Sequence, residues 1–290
     1  MSEVTVLAYA KINISLDVLN RREDGYHNLK SVMQSITLAD EITIKTGEEG
    51  IRVYADLPYV PSDCRNIGYK AAELFYRDAG ISPEVLIKIK KNIPVGAGLG
   101  GGSADAAAIL KALNKLYKNP LSKARLLELG LKCGADVPFC LEGGTCLAEG
   151  LGEVLTPLPP LPSCAFILVK PPFSINTKQI FSSLDVSKIT CRPDTNGILE
   201  AIKKNNLSEI SVRMFNVLED FTGCHRKDLS ALKGRILESG AKGAVMSGSG
   251  SCVFGIFKSM NHAKEAAAYF GSGEESVFSV KPHIAKNKAE

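Results

Sequence analysis

The run PVGAGLGGGSADAA, from Pro94 to Ala107, sets five glycines and a serine between a strand-like and a helix-like segment. Glycine backbone reaches φ > 0 and lets amide N–H groups approach an anion, and a helix beginning near Ser103 adds the positive end of its dipole. That chemistry suits the phosphates of a nucleotide. Two better-known phosphate loops do not fit. The P-loop needs Lys and then Ser or Thr directly after its last glycine, whereas Gly102 is followed by Ser103 and Ala104. The dinucleotide fingerprint is formally met by Gly96, Gly98 and Gly101, but no acid to hold a ribose lies between Asp105 and Glu128. A ligand-free turn would carry three consecutive glycines without any packing gain.

Four further places bear chemistry, each with a plainer alternative. Lys11 and Asn13 lie two apart in an alternating segment, so both emerge on one face and could hold one substrate. With Ser15 and Asp17 they equally suit a solvated strand face. Asp136, in GADVPF, follows Gly134 and precedes Pro138 where a helix is expected to end, which places an acid at a cleft or in a capping turn. The segment SGSGSC, Ser247 to Cys252, can offer more backbone donors or close over the first loop, or simply turn the chain. In REDGYHN, Arg22 to Asn28, an Asp-Gly turn is followed by Tyr26 and His27, a ring pair able to grip a planar base or merely the tip of a hairpin.

The elements that must position these residues follow from periodicity. Every even position from Val4 to Val18 is apolar, a period-2 pattern that predicts a long half-buried strand or a hairpin. Strands are also predicted at Glu41 to Thr46, Ile51 to Leu57 and Val85 to Lys90, with a helix from Asn66 to Ala79. Ala106, Ile109, Leu110, Leu113, Leu116 and Tyr117 recur at helical spacing, so the glycine run feeds straight into an amphipathic helix. LTPLPPLPS, Leu155 to Ser163, has four prolines and no charge and suits an extended connector, which puts a domain boundary there. Beyond it the pattern predicts strands at Ala165 to Lys170, Cys252 to Phe257 and Ser276 to Lys281. Helices are predicted over Gly197 to Lys204, Ser208 to Phe221, Asp228 to Ser239 and His262 to Phe270. The mixture is α+β, without internal repeats, and ends in a lysine-containing tail.

Composition narrows the function classes. With 290 residues, 45% hydrophobic and 23% charged, the chain suits a soluble protein with a sizeable core. A net charge of +4, spread along the sequence, argues against a nucleic-acid or membrane surface and mildly favours anionic substrates. The N-terminus lacks the basic flank and apolar core of a signal peptide, and no charge-free stretch nears the length of a membrane span, so a cytoplasmic setting is expected. The eight cysteines contain no CxxC pair and the four histidines are scattered, which favours buried, reduced thiols over a zinc site.

Taken in order, AKINISLDV, DGYHNLKS, PVGAGLGGGSADAA, GADVPF and SGSGSCVF resemble the motifs of the GHMP kinase superfamily, a likeness that spans Ala8 to Phe257. The pairing of AKIN with DGYH is similar to that of the members whose acceptor is diphosphocytidyl methylerythritol. The resemblance implies a two-domain fold. An ATP-binding domain like ribosomal protein S5 domain 2 would occupy residues 1–157, and a ferredoxin-like, substrate-binding domain residues 158–290. It implies transfer from ATP, with Mg2+, to an alcohol of that small molecule, and it assigns the catalytic pair to Lys11 and Asp136. Adenine would lie near Asn66 and Lys91, and the phosphates on Gly98, Gly100, Gly101, Gly102 and Ser103. Asn13 would lie near the reacting hydroxyl, with Tyr26, His27 and Phe181 holding the cytosine and Thr177 close by; no metal ligands are implied. Two positions depart from the family pattern: Gly96 stands where alanine is common, and Ala104 where a second serine is common, leaving Ser103 as the hydroxyl. Other members of the superfamily act on mevalonate, homoserine or sugars, and a nucleotide-responsive binding module that has lost its chemistry is the alternative from another class.

Overall fold

The computed structural model describes residues 2–270 and 273–284; the lysine-containing tail lies outside them. The strands and helices in chain order are β1 (Glu3–Arg21), β2 (His27–Thr46), β3 (Gly50–Ala55), α1 (Ile67–Ala79), β4 (Glu84–Lys90), α2 (Gly101–Leu116), α3 (Lys123–Cys133), α4 (Val137–Glu142), β5 (Thr145–Gly150) and β6 (Val154–Pro157). They continue with β7 (Ala165–Lys170), α5 (Thr177–Ser183), α6 (Thr195–Lys203), α7 (Leu207–Val212), β8 (Phe215–Asn216), α8 (Arg226–Glu238), β9 (Gly243–Met246), β10 (Val253–Phe257), α9 (Met260–Ala268) and β11 (Ser276–Val280). The fold is α+β, as the sequence pattern predicts. Two compact units interleave along the chain. One comprises the N-terminus to Ala10, Leu38–Val95 and Gly100–Glu142, and the other Lys11–Thr37, Gly96–Leu99 and the chain from Gly143 onward.

In the first unit the C-terminal part of β2 pairs antiparallel with β4, from Glu41 opposite Lys90 to Thr46 opposite Val85, and β3 pairs parallel with β4. A parallel neighbour needs a crossover, which α1 supplies. The apolar alternation of these strands buries Ile42, Ile44, Val53, Val85, Ile87 and Ile89. α1 begins at Asn66, whose side-chain oxygen accepts from the Gly68 N–H, and stops at Gly80 in the left-handed region. Its Gly68 lets α2 approach closely: a Cβ there would lie 2.7 Å from Ile109.

In the second unit β11, β7, β10 and β9 form an antiparallel sheet in that order. α8 and α9 cover it with Leu232, Ile236, Ala263 and Ala266 over Ile167, Val169, Val253 and Phe257. The N-terminal part of β2 pairs with β5, and β8 pairs parallel with β1 at Ser15 and Leu16.

Three expectations change. The odd positions of β1 are not a solvated face: Lys11, Asn13, Ser15 and Asp17 are all buried, because hydrogen bonds among polar side chains replace water there. The helix predicted over Ser208 to Phe221 breaks into α7, the short β8 and a 3-10 turn at Val217–Phe221, since the Asn216 side chain caps Leu218 and starts a new turn. Of the thiols expected to be buried, Cys64, Cys191 and Cys224 are exposed, whereas Cys146, Cys164 and Cys252 are buried.

Candidate active site

The glycine run adopts the conformation that its composition predicts. Gly96, Gly98 and Gly100 have φ of 66°, 74° and 68°, the left-handed region that glycine alone enters without strain. Gly100 is the N-cap of α2, so the amides of Gly101, Gly102 and Ser103 are first-turn N–H groups with no partner inside the helix. In the same unit a Cβ at Gly102 would lie 3.2 Å from Ile67, next to Asn66, and one at Gly134 would lie 3.9 Å from the Ser103 hydroxyl. The helix start, the Asn66 cap and the GADVP turn therefore adjoin one another. Asp136 is half-buried between the Gly134 cap of α3 and the start of α4, and its carbonyl accepts from the Cys140 N–H.

Asn66 is buried, and its amide also donates to the Pro61 carbonyl. Lys91 is buried between two acids. Its Nζ donates to Asp40 Oδ2 and, at 2.7 Å, to Asp105 Oδ2, while Asp40 Oδ1 accepts from the Asn92 and Ile93 N–H groups. Burial works against the Lys91 charge, but Asp105 and Asp40 hold its ammonium above the ordinary range. For Asp105 burial is the largest effect, and with Asp40 beyond Lys91 it pushes the carboxyl up to about 8 against the pull of the lysine. Because this folded value exceeds the unfolded 3.8, the folded protein holds the proton more tightly, and stability falls as pH rises from about 4 to about 8. Asp105→Asn removes that term, so its melting temperature is expected to gain on the wild type progressively between pH 5 and 9 in thermal melts.

The second unit gathers the AKIN residues. Lys11 Nζ donates to Asn13 Oδ1 at 2.8 Å, Asn13 Nδ2 donates to Ser31 Oγ at 2.8 Å, and Ser31 Oγ donates to the Ser15 carbonyl at 2.6 Å. This ladder fixes the ammonium of Lys11, which is 4% exposed. SGSGSC is the tip of the β9–β10 hairpin, and it closes on the first glycine loop. Ser247 Oγ donates to the Gly98 carbonyl and the Cys252 N–H to the Ala97 carbonyl, and a Cβ at Gly248 would lie 3.1 Å from Lys11 Nζ. Periodicity hides the residue that holds this tip. Asn216, 2% exposed, donates to the carbonyls of Met246 and Gly248 at 2.8 and 2.7 Å while accepting from Leu218. An asparagine inside an apolar helical pattern is the one sequence signal that marks it.

The DGYH turn joins β1 to β2 through Gly25 at φ 84°. Tyr26 stands out at the tip, while His27 is buried 5.7 Å from the Phe181 ring, centroid to centroid. Burial, and then Arg21, hold the His27 pKa below its usual value, so the ring is neutral at pH 7. Its Nε2 is buried without a hydrogen-bond partner. Thr177, at the start of α5, shares a hydrogen bond with Ser249 of the hairpin tip.

Residues 66–144 match the GHMP kinases N terminal domain and residues 198–274 the GHMP kinases C terminal domain. A 4-diphosphocytidyl-2-C-methyl-D-erythritol kinase of Clostridium botulinum (strain Alaska E43 / Type E3) is 48% identical over 90% of this chain and 93% of its own. The chain belongs to the 4-diphosphocytidyl-2-C-methyl-D-erythritol kinase family of GHMP kinases. The kinase of that name from Acetivibrio thermocellus is 45% identical over 93% of this chain and 95% of its own. Among solved structures, a 4-(cytidine 5'-diphospho)-2C-methyl-D-erythritol kinase superposes with a TM-score of 0.81 at 34% identity, over 97% of this chain and 100% of the other. A homoserine kinase from Cytophaga hutchinsonii shares the fold, with a TM-score of 0.76 at 19% identity over 98% of this chain and 95% of its own. Among the described residues no helix is long and apolar enough to cross a membrane.

Proposed function

We propose that this protein transfers the γ-phosphoryl group of ATP to the 2-hydroxyl of 4-diphosphocytidyl-2-C-methyl-D-erythritol, a step of non-mevalonate isoprenoid synthesis in the cytoplasm. Adenine lies beside the segments of Asn66 and Lys91, and the phosphates meet the backbone of Gly98 and of Gly100–Ser103, where first-turn amides and a helix dipole favour anions. Such positioning and charge stabilisation provide most of the catalysis in phosphoryl transfer. Asp136 orients the acceptor hydroxyl and takes its proton. Lys11, its ammonium held by Asn13, offsets the negative charge that develops during transfer.

Mg2+ accompanies ATP in this reading, to neutralise phosphate charge. Among the described residues no group of three or more His, Cys, Asp or Glu is placed to hold a metal ion, so the protein's own residues are assigned no step through it.

The observation that carries the acceptor is the buried, neutral His27 with an unpaired Nε2 beside Phe181. A buried polar atom without a partner is costly, and a nucleobase edge that donates to Nε2 while its ring meets Phe181 removes that cost. Tyr26, Thr177 and Asn13 complete the acceptor site. The test is coupled ADP release with ATP and magnesium, offering diphosphocytidyl methylerythritol, mevalonate, homoserine and galactose in parallel. Turnover is expected with the cytidyl substrate alone; turnover with another acceptor, or with none, would overturn the assignment.

A further inference from the structure

Three ionisable side chains of the first unit, those of Asp40, Lys91 and Asp105, are almost wholly removed from water. Ion pairs of this kind bring little net stability, because desolvating the charges offsets their attraction. What the cluster does bring is geometry. Asp40 grips two consecutive amides, those of Asn92 and Ile93, and receives the Lys91 ammonium, which reaches on to Asp105 in the second turn of α2. The first residue of α2, Gly101, rests on the same group: a Cβ there would lie 3.3 Å from Lys91 Nζ and 3.1 Å from Ile93 Cγ2. β2, the segment after β4 and the start of α2 are thus tied at one point directly under the glycines.

We propose that Lys91 is a positioning residue: its ammonium, held between Asp40 and Asp105, fixes the first turn of α2 and with it the amides offered to the phosphates of ATP, and does not itself touch the nucleotide. The proposal rests on Gly100–Ser103 being the phosphate site. Two features support it. With both acids already bound to it, the ammonium has a partner on each side and only 4% of the side chain is exposed. Burial, which raises the Asp105 pKa, also lessens the negative charge that this carboxyl places under a loop that must accept a polyanion.

The experiment is calorimetric titration of wild type, Lys91→Met and Asp105→Ala with ADP in magnesium buffer and, separately, with adenosine, on protein shown to be folded by its thermal melt. Positioning predicts that ADP affinity falls roughly tenfold or more while adenosine affinity holds within about twofold, since only the phosphates feel the displaced amides. Equal losses for ADP and adenosine in Lys91→Met would mean that the lysine meets the base, and would overturn the proposal. Lys91→Met leaves two buried acids facing each other and is the variant more prone to unfold. Asp105→Ala keeps the Lys91–Asp40 pair and removes only the tie to α2, so unchanged ADP affinity in that variant overturns the proposal as well. Wild-type protein that bound no ADP would sink the nucleotide reading and the proposal together, whereas wild-type binding with equal losses sinks the proposal alone.

Discussion

Asp136→Asn is expected to lower kcat by roughly three to four orders of magnitude and to leave ATP affinity within about twofold. The substitution separates two roles that this position can play. Asp136 sits immediately before α4 and its carbonyl takes the first helical hydrogen bond, from Cys140, which is the place of a capping residue. Asparagine caps a helix as well as aspartate does and has almost the same shape, so a cap alone would survive the change with stability and rate intact. A base would not, because a neutral amide cannot accept the proton of the acceptor hydroxyl at pH 7. Stopped-flow or coupled assay of kcat, beside an ATP titration and a thermal melt, checks all three quantities. A variant near the wild-type rate would remove Asp136 from the chemistry and leave it a cap.

The phosphate cradle is legible in the sequence because every part of it is local. The left-handed glycines, the cap at Gly100 and the apolar stripe of α2 lie within a single stretch of chain, and each follows from what one residue does to its own backbone. The DGYH turn is legible for the same reason. What spacing does not reveal is decided by partners far along the chain. Lys11 and Asn13 read as a solvated face as readily as a site, and what buries them is Ser31, 18 residues beyond Asn13. Lys91 reads as one lysine among several at the end of a strand, yet its ammonium is set by Asp40, 51 residues earlier, and by Asp105, 14 later. Asn216 lies within a run whose apolar pattern predicts helix, and its meaning comes from carbonyls 30 and 32 residues away. Local propensity lost at Asn216 because a buried amide with three hydrogen bonds outweighs the helix preference of its neighbours.

Gly98→Ala is expected to abolish turnover and to destabilise the protein by roughly 2–5 kcal/mol, the sum of left-handed strain and overpacking. The backbone at Gly98 has φ 74°, where a Cβ meets its own chain, and the same Cβ would stand 2.0 Å from the Ser247 carbonyl oxygen and 3.0 Å from the Gly250 nitrogen. Both are backbone atoms of the hairpin tip, which Asn216 holds by two hydrogen bonds, so the tip cannot swing aside cheaply. If it yields, Gly248 moves off Lys11 and the Ser247 bond to Gly98 is lost. Gly96→Ala provides the contrast. Its φ of 66° carries similar strain, but its Cβ would meet only the Ser174 side chain, at 3.1 Å, and a hydroxymethyl group can rotate away. Melting temperatures and kcat/KM for the two variants should therefore diverge, with Gly96→Ala losing only about 1–2 kcal/mol and keeping measurable activity. Equal loss in both variants would mean that left-handed strain alone sets the damage and that the close approach of the two loops is not what the reaction needs.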